Sequence, residues 1–219
     1  VFGEGTTLPG TLQAENFDSG ADGISYHDSN SNNEGGTSYR SNGGGVDIVT
    51  GNGGYAIGYT VTGEWLEYTV NVEEAGTYSF DASVSSGVTT SSFSLSLSTD
   101  NGLTPLTDVM PVPCVKANNW DTYKTVHGRL LIPLEAGKQI IRLNITGGNC
   151  NVDKITFKRV EIDNGIRIAL KADPSPATIN TNTTLKATAT SNSGTAISNI
   201  KFYVDNVLSA KYRIKIILF

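Results

Sequence analysis

From Tyr55 to Val72 the chain alternates apolar and polar residues, with Gly63 near the middle. A period of two over that length suits extended strands and no helix, because successive strand side chains point to opposite faces. The second half puts Leu66, Tyr68, Val70 and Val72 on one face and Trp65, Glu67, Thr69 and Asn71 on the other. Trp65 is then the exception on a polar face. An indole displayed there is not spent on the core behind the strand, and a flat aromatic surface suits the C–H face of a sugar ring.

The same alternation recurs along the first three quarters of the sequence. It predicts strands at residues 11–17, 55–60, 65–72, 76–85, 92–98, 122–126, 128–132, 139–145 and 152–157. Turn signals such as Glu74-Ala75-Gly76, Asp100-Asn101-Gly102 and Gly147-Gly148-Asn149 separate them. No stretch carries a 3.6-residue period. Strands at this spacing imply an all-β fold, a β-sandwich of jelly-roll type. Of 219 residues, 38% are hydrophobic and only 17% charged, with 24 glycines and one methionine, which fits an extracellular all-β protein. The net charge of -5 argues against nucleic acid or an anionic membrane as partner. No apolar run approaches the about 20 residues of a spanning helix.

Two regions depart from this pattern. Residues 20–54 are rich in Ser, Asn, Gly and Asp. Asp28, Asn30, Asn32, Asn33, Glu34 and Asp47 are there either as oxygen ligands of the kind Ca²⁺ accepts or as turn-formers of a solvated loop. After residue 158 the character changes: Ile166, Ile168 and Leu170 alternate, Pro174 and Pro176 interrupt, and strands are expected at 184–190 and 199–204. The reading is a domain at 1–158, then a linker and truncated β-rich segment at 159–219, with an apolar 214–219 end that breaks the alternation. Cys114 and Cys150 are the only thiols. They leave two arrangements open: two buried free thiols, or a disulfide closing a loop of about 37 residues, worth roughly 3–4 kcal/mol.

Residues 8–158 resemble the family 6 carbohydrate-binding modules. The elements that carry the likeness are residues 8–17 and 23–28, Tyr39-Arg40, Val46-Asp47-Ile48, Ile57-Gly58-Tyr59 and Gly63-Glu64-Trp65-Leu66-Glu67-Tyr68. They continue as Ala75-Gly76-Thr77-Tyr78, Asn119-Trp120-Asp121-Thr122-Tyr123, Glu135-Ala136-Gly137 and residues 151–157, in order. The tail, especially residues 200–205, is similar to bacterial immunoglobulin-like repeats.

The resemblance implies a non-catalytic, monomeric module of a secreted bacterial glycoside hydrolase, with a polysaccharide as partner. β-1,3-Glucan or agarose is favoured over xylan through Tyr26-His27-Asp28 and Tyr39-Arg40. It implies a sugar ring clamped between Tyr59 and Trp120, with the Asn151 amide on its hydroxyls, and Glu34 and His27 at the edge. It implies a second cleft on a sheet face at Trp65, and a structural Ca²⁺ held by Gln13, Glu15, Asp153 and the main-chain carbonyl at Arg40. A disulfide, if formed, would tie two binding loops together. Two other functions remain to be weighed. One is a structural or adhesive spacer whose sugar site is lost. The other is a glycosidase using Glu64 and Glu67 as its paired carboxylates.

Overall fold

The computed structural model describes residues 2, 5–40 and 44–160, and beyond them the backbone of four strands. The chain divides into two units, Val1–Val160 and Glu161–Phe219. Among the described residues of the first unit thirteen strands form two sheets. They are β1 (Thr6–Leu8), β2 (Gly10–Gln13), β3 (Tyr26–His27), β4 (Ile48–Gly51), β5 (Gly54–Ile57), β6 (Trp65–Val72), β7 (Tyr78–Ser86), β8 (Ser92–Thr99), β9 (Gly102–Pro105), β10 (Met110–Pro111), β11 (Lys124–Arg129), β12 (Gly137–Gly147) and β13 (Cys150–Arg159). One sheet runs β1-β6-β12-β8-β10, with β3 on β6 and β9 on β8. The other runs β11-β7-β13-β5-β4, with β2 on β13. The fold is an all-β sandwich.

The inward faces are those the alternation predicts, except in β13, where a bulge shifts it by one residue. Leu66, Tyr68, Val70 and Val72 of β6 pack with Tyr78, Phe80, Ala82 and Val84 of β7, Phe93 and Leu95 of β8, Ile141 and Leu143 of β12, and Val152, Ile155 and Phe157 of β13 in one buried cluster. Burying a side chain of this size is worth about 1.5–3 kcal/mol, so this cluster is the main source of the first unit's stability.

Two local expectations change, and of the two cysteine arrangements left open one is found. The strand expected at 11–17 stops at Gln13, and Ala14–Asn16 form a 3-10 turn. The tighter turn lets both Ala14 and Glu15 be buried, with Phe17 following them in, which a strict period of two forbids. The strands expected at 122–126 and 128–132 are one strand, β11, running through Gly128. A Cβ at Gly128 would lie 2.3 Å from the Phe80 ring, so this glycine makes room for a core aromatic and does not break the strand. Finally, both cysteines are free. Ser86 pairs with Cys150 across one of its edges and with Cys114 through an isolated bridge. The two cysteines thus flank one residue at about two strand spacings, roughly 9–10 Å, beyond the Cα separation a disulfide spans. Burial pushes the Cys150 thiol up to about 11, so it stays protonated and unreactive.

In the second unit β14 (Ile166–Asp173) pairs antiparallel with β15 (Thr184–Ser191), and β16 (Tyr203–Val204) with β17 (Val207–Leu208). Most of what the sequence suggests about an immunoglobulin-like segment lies outside the described residues. That includes the first four residues of the strand expected at 199–204 and the apolar run at 214–219.

Candidate functional site

At one end of the sandwich Tyr59, Trp120 and Asn151 line a single cavity of about 410 Å³, together with Val49, Thr50, Asp121 and Asn149. That volume falls within the about 300–1,000 Å³ of small-molecule sites. Three separate parts of the chain build it.

Tyr59 follows β5 and has φ 48°. The left-handed region is costly for a bulky side chain and is held only where its surroundings enforce it. Here the neighbours do so. The Gly58 N–H donates to the Asp47 carbonyl at 2.9 Å. Thr60 Oγ1 donates to the Cys150 carbonyl at 2.9 Å and accepts the Cys150 N–H at 3.0 Å. Tyr59 is thereby turned outward, and it is 57% exposed.

Trp120 lies in the loop between β10 and β11. Its indole N–H donates to the Asn149 carbonyl at 2.9 Å, and its own carbonyl accepts from Ser85 Oγ and, at 3.3 Å, from the Asn151 amide. A Cβ on Gly87 would stand 2.9 Å from indole atoms Cε2 and Cζ2, so the ring rests on bare backbone there. Asn119 Oδ1 accepts from the Asp121 N–H and the Thr122 hydroxyl, a turn that fixes the ring's place in the loop. Asn151 stands at the start of β13, opposite Ser85. Its amide Nδ2 is used on the Trp120 carbonyl. One charged side chain, Asp121, appears among the residues lining the cavity.

Val49, Thr50, Asp121 and Asn149 were not legible as site residues. Asn149, with φ 61°, ends a Gly-Gly-Asn turn that signals only a turn. Val49 and Thr50 come from β4, which carries no local mark of function.

Trp65 is placed differently. The Arg142 guanidinium carbon lies 3.6 Å from the indole centroid, and Nε and Nη2 of Arg142 donate to Glu67 Oε1 at 2.9 and 2.7 Å. That face of the ring is covered by a cation locked in place. His27 is the cross-strand partner of Trp65, with Nδ1 3.0 Å from Asp22 Oδ1. It is not at the Tyr59–Trp120 cavity, contrary to expectation. Both His27 and Trp65 border a separate space of about 10 Å³, with Asp28, Asp47, Glu64 and Thr60 among its lining residues, room for one water at most. Glu34 is exposed and lines neither cavity; its N–H donates to Asp47 Oδ1. Burial pushes the Asp28 and Asp47 carboxyls up to about 6. The nearby Glu64 charge adds to both.

The polar loop proves to be stitched by its own turns. Asn30 N–H donates to Asp28, Asn32 N–H to Asn30, and Ile48 N–H to Asn33. Glu64, 7% exposed, accepts from Ser29 N–H, Ser29 Oγ and Val61 N–H. Neither carboxylate of the Glu64/Glu67 pair is therefore free to work on a substrate: one anchors loops and the other holds Arg142.

The expected metal ligands fall partly together. β13 has a register shift between Val152 and Lys154, which leaves Asp153 as an extra residue against β7. Such a bulge re-aims a side chain, and Asp153 is buried. Glu15 is buried, its Oε2 has no hydrogen-bond partner, and burial, helped by the Asp153 charge, pushes its carboxyl up to about 7. Gln13 pairs with Lys154 next door. The 3-10 turn removes the shared strand face expected of Gln13 and Glu15. Arg40 is fixed through its side chain: Nη1 donates to the Phe17 and Glu15 carbonyls, and the guanidinium lies between the Phe2 and Phe17 rings at 4.0 and 3.8 Å. An orphaned carboxylate oxygen beside a second carboxylate fits a hard cation. Among the described residues no three His, Cys, Asp or Glu side chains converge on a metal position. A cation at Glu15 and Asp153 would therefore depend on amide and main-chain oxygens for its other ligands.

The family model described as Carbohydrate binding module (family 6) matches residues 35–159. The chain belongs to this family, whose members are non-catalytic carbohydrate-binding modules. A search of curated protein sequences gives no match. Among solved structures, the chain is similar to a family 6 module of Clostridium stercorarium in complex with cellobiose, at 23% identity and TM-score 0.51, covering 72% of this chain and 99% of that one. It is similar to a β-1,3-glucan-binding family 6 module of Bacillus halodurans, at 20% identity and TM-score 0.50, covering 72% and 100%. A third family 6 module, whose binding subsites were dissected by crystallography and calorimetry, gives 22% identity and TM-score 0.52, covering 71% and 98%. At these identities the likeness establishes the fold.

Proposed function

We propose that this module holds a neutral polysaccharide at the loop end of the sandwich, one sugar ring clamped between Tyr59 and Trp120 and hydrogen-bonded by Asn151. The observation that carries the reading is that these three residues line one cavity of about 410 Å³ with both rings accessible. Stacking buries sugar C–H against rings that have little entropy to lose. Asn151 Oδ1 accepts from a hydroxyl, and its amide is held by the Trp120 carbonyl. Asp121 accepts hydroxyl protons too and repels sulfated or uronate sugars. The preference stays with β-1,3-glucan or agarose, xylan following.

One clamped ring buries little area, so affinity is on the order of 10–1000 μM. That suffices to concentrate an attached glycoside hydrolase of a secreted bacterial enzyme on its substrate. In native gels containing dissolved laminarin, agarose or xylan, at least one glycan retards the chain. Trp120→Ala or Tyr59→Ala weakens binding at least tenfold without lowering the Tm of the fold. Wild-type retardation of both variants would remove the clamp.

A Ca²⁺ held by Glu15, Asp153, Gln13 and the Arg40 carbonyl belongs to the same reading. Bound there, it would add to the positive charge that Lys154 Nζ, 3.5 Å from Asp153 Oδ2, already brings to the two buried carboxylates, and would tie the turn after β2 to β13. A ligand that binds only the folded state stabilises by mass action, so a chelator lowers the Tm. An unchanged melting curve would count against the metal.

A further inference from the structure

We propose that two buried serines, Ser86 and Ser91, are positioning residues of the glycan clamp: they hold the Asn149 peptide, and that peptide sets the gap between Tyr59 and Trp120. The inference rests on the clamp being the glycan site.

Both serines stand where the core pattern asks for an apolar side chain. Tyr78, Phe80, Ala82 and Val84 are the buried inward row of β7, and Ser86 is the next residue of that row. Ser91 precedes Phe93 and Leu95, the buried inward row of β8, by the same spacing. Ser86 is 1% exposed and Ser91 2%. A buried hydroxyl is costly unless hydrogen-bonded, so a serine closing each row has to be used by something at that end of the sandwich. β7 and β8 belong to different sheets, yet the two hydroxyl oxygens lie 2.8 Å apart.

What uses them is the turn between β12 and β13. Ser86 Oγ lies 3.0 Å and Ser91 Oγ 3.1 Å from the Asn149 carbonyl oxygen, so either hydroxyl can donate to it. Ser91 Oγ also lies 2.7 Å from the Gly148 carbonyl oxygen. Ser86 Oγ has the Val88 carbonyl in reach at 2.9 Å and accepts the Val88 N–H at 3.0 Å. The Asn149 carbonyl is the acceptor of the Trp120 indole N–H, and the Asn149 N–H donates to the Thr60 carbonyl at 2.6 Å, one residue past Tyr59. One residue is thus tied to both walls of the clamp. The turn is packed too closely to drift: a Cβ on Gly148 would lie 2.6 Å from the Thr60 carbonyl oxygen, and one on Gly147 2.2 Å from that of Thr90. A gap fixed before the sugar arrives spares the complex the cost of ordering the rings. Without the two hydroxyls the Asn149 carbonyl keeps, of these donors, only the indole, and Trp120 loses the fixed point that orients it.

The test uses the 219-residue chain carrying Trp65→Phe, so that Trp120 is its one tryptophan. Acrylamide quenching of the Trp120 emission, read without any sugar, should at least double when Ser86→Ala and Ser91→Ala are combined. Calorimetric titration with hexasaccharides of β-1,3-glucan, agarose and xylan should show the same variant losing at least fivefold in affinity for the glycan that binds. Should the double variant not fold by circular dichroism, either single variant should lose at least twofold. Tyr78→Phe removes a buried hydroxyl at the opposite end of β7, one that donates to the Glu74 carbonyl at 2.8 Å. It should lower the Tm and leave quenching and affinity unchanged. Wild-type quenching or wild-type affinity in the serine variants, or an equal loss in Tyr78→Phe, overturns the positioning role while leaving the clamp standing. Binding of none of the hexasaccharides, or binding indifferent to Trp120→Ala, overturns the clamp and the positioning role with it.

Discussion

The two tryptophans show what makes an aromatic ring a binding surface. Trp65 and Trp120 are both partly exposed. Trp65 sits on a regular strand, where same-face neighbours on the adjoining strands are about 5 Å away. Arg142, on β12, reaches across and covers it at 3.6 Å. Trp120 sits on a loop, and among the described residues no cation lies over its ring. One side rests on the backbone of Gly87, its N–H is tied to Asn149, and the ring borders an open cavity with Tyr59. Display on a polar strand face is therefore not enough; what decides is whether the next strand supplies a side chain to cover the ring.

That contrast can be broken most easily by mutation of the two rings. Trp120→Ala should lose at least tenfold in glycan affinity, while Trp65→Ala should stay within twofold of the wild type, both read by affinity gels. Equal losses would make the Trp65 face a second site. Next, Arg142→Ala leaves Glu67, only 7% exposed, without its cation. Breaking a buried pair costs about 3–5 kcal/mol, and the wet edge of Arg142 reduces this to about 2 kcal/mol. Denaturant unfolding should show that loss, with clamp affinity unchanged; a neutral result would mean the cation over Trp65 is incidental.

The smallest effect is a pH effect beside Trp65. Asp28 and Asp47 have folded-state carboxyls pushed up to about 6 by burial, against about 3.9 unfolded. The folded state then binds more protons between those values, so stability rises as pH falls through about 6 toward 4. The Tm should be higher at pH 5.5 than at 7.5; Glu15, pushed up to about 7, acts in the same direction, so Asp47→Asn should reduce the difference without removing it. A Tm that falls over this range would contradict the assignment.

Much of the fold was legible because it follows from period-two alternation. β6, β7 and β12 bury the residues the pattern selects, whereas in β13 the bulge at Asp153 moves burial from the 152/154/156 set to Ile155 and Phe157, and in β8 Leu97 is only partly buried. What failed was what alternation cannot encode. A glycine inside β11 reads as a break until Phe80 is seen beside it. The turn at Ala14–Asn16 hides in a sequence that scans as strand. Tyr59, Trp120 and Asn151 could be named from family likeness, and the structure brings them to one cavity. Thr50 and Asn149 could not, because they belong to it only through a hairpin and a turn that fold in from elsewhere. The cover on Trp65 was invisible for the same reason: Arg142 is its neighbour only through the β6–β12 pairing.

The chain has only two tryptophans, so intrinsic fluorescence reports the two surfaces separately. Titration of a bound glycan into Trp65→Phe should retain the wild-type change in emission, and into Trp120→Phe should abolish it. A change that survives in Trp120→Phe and vanishes in Trp65→Phe would put the sugar on the Arg142-covered face and contradict the clamp.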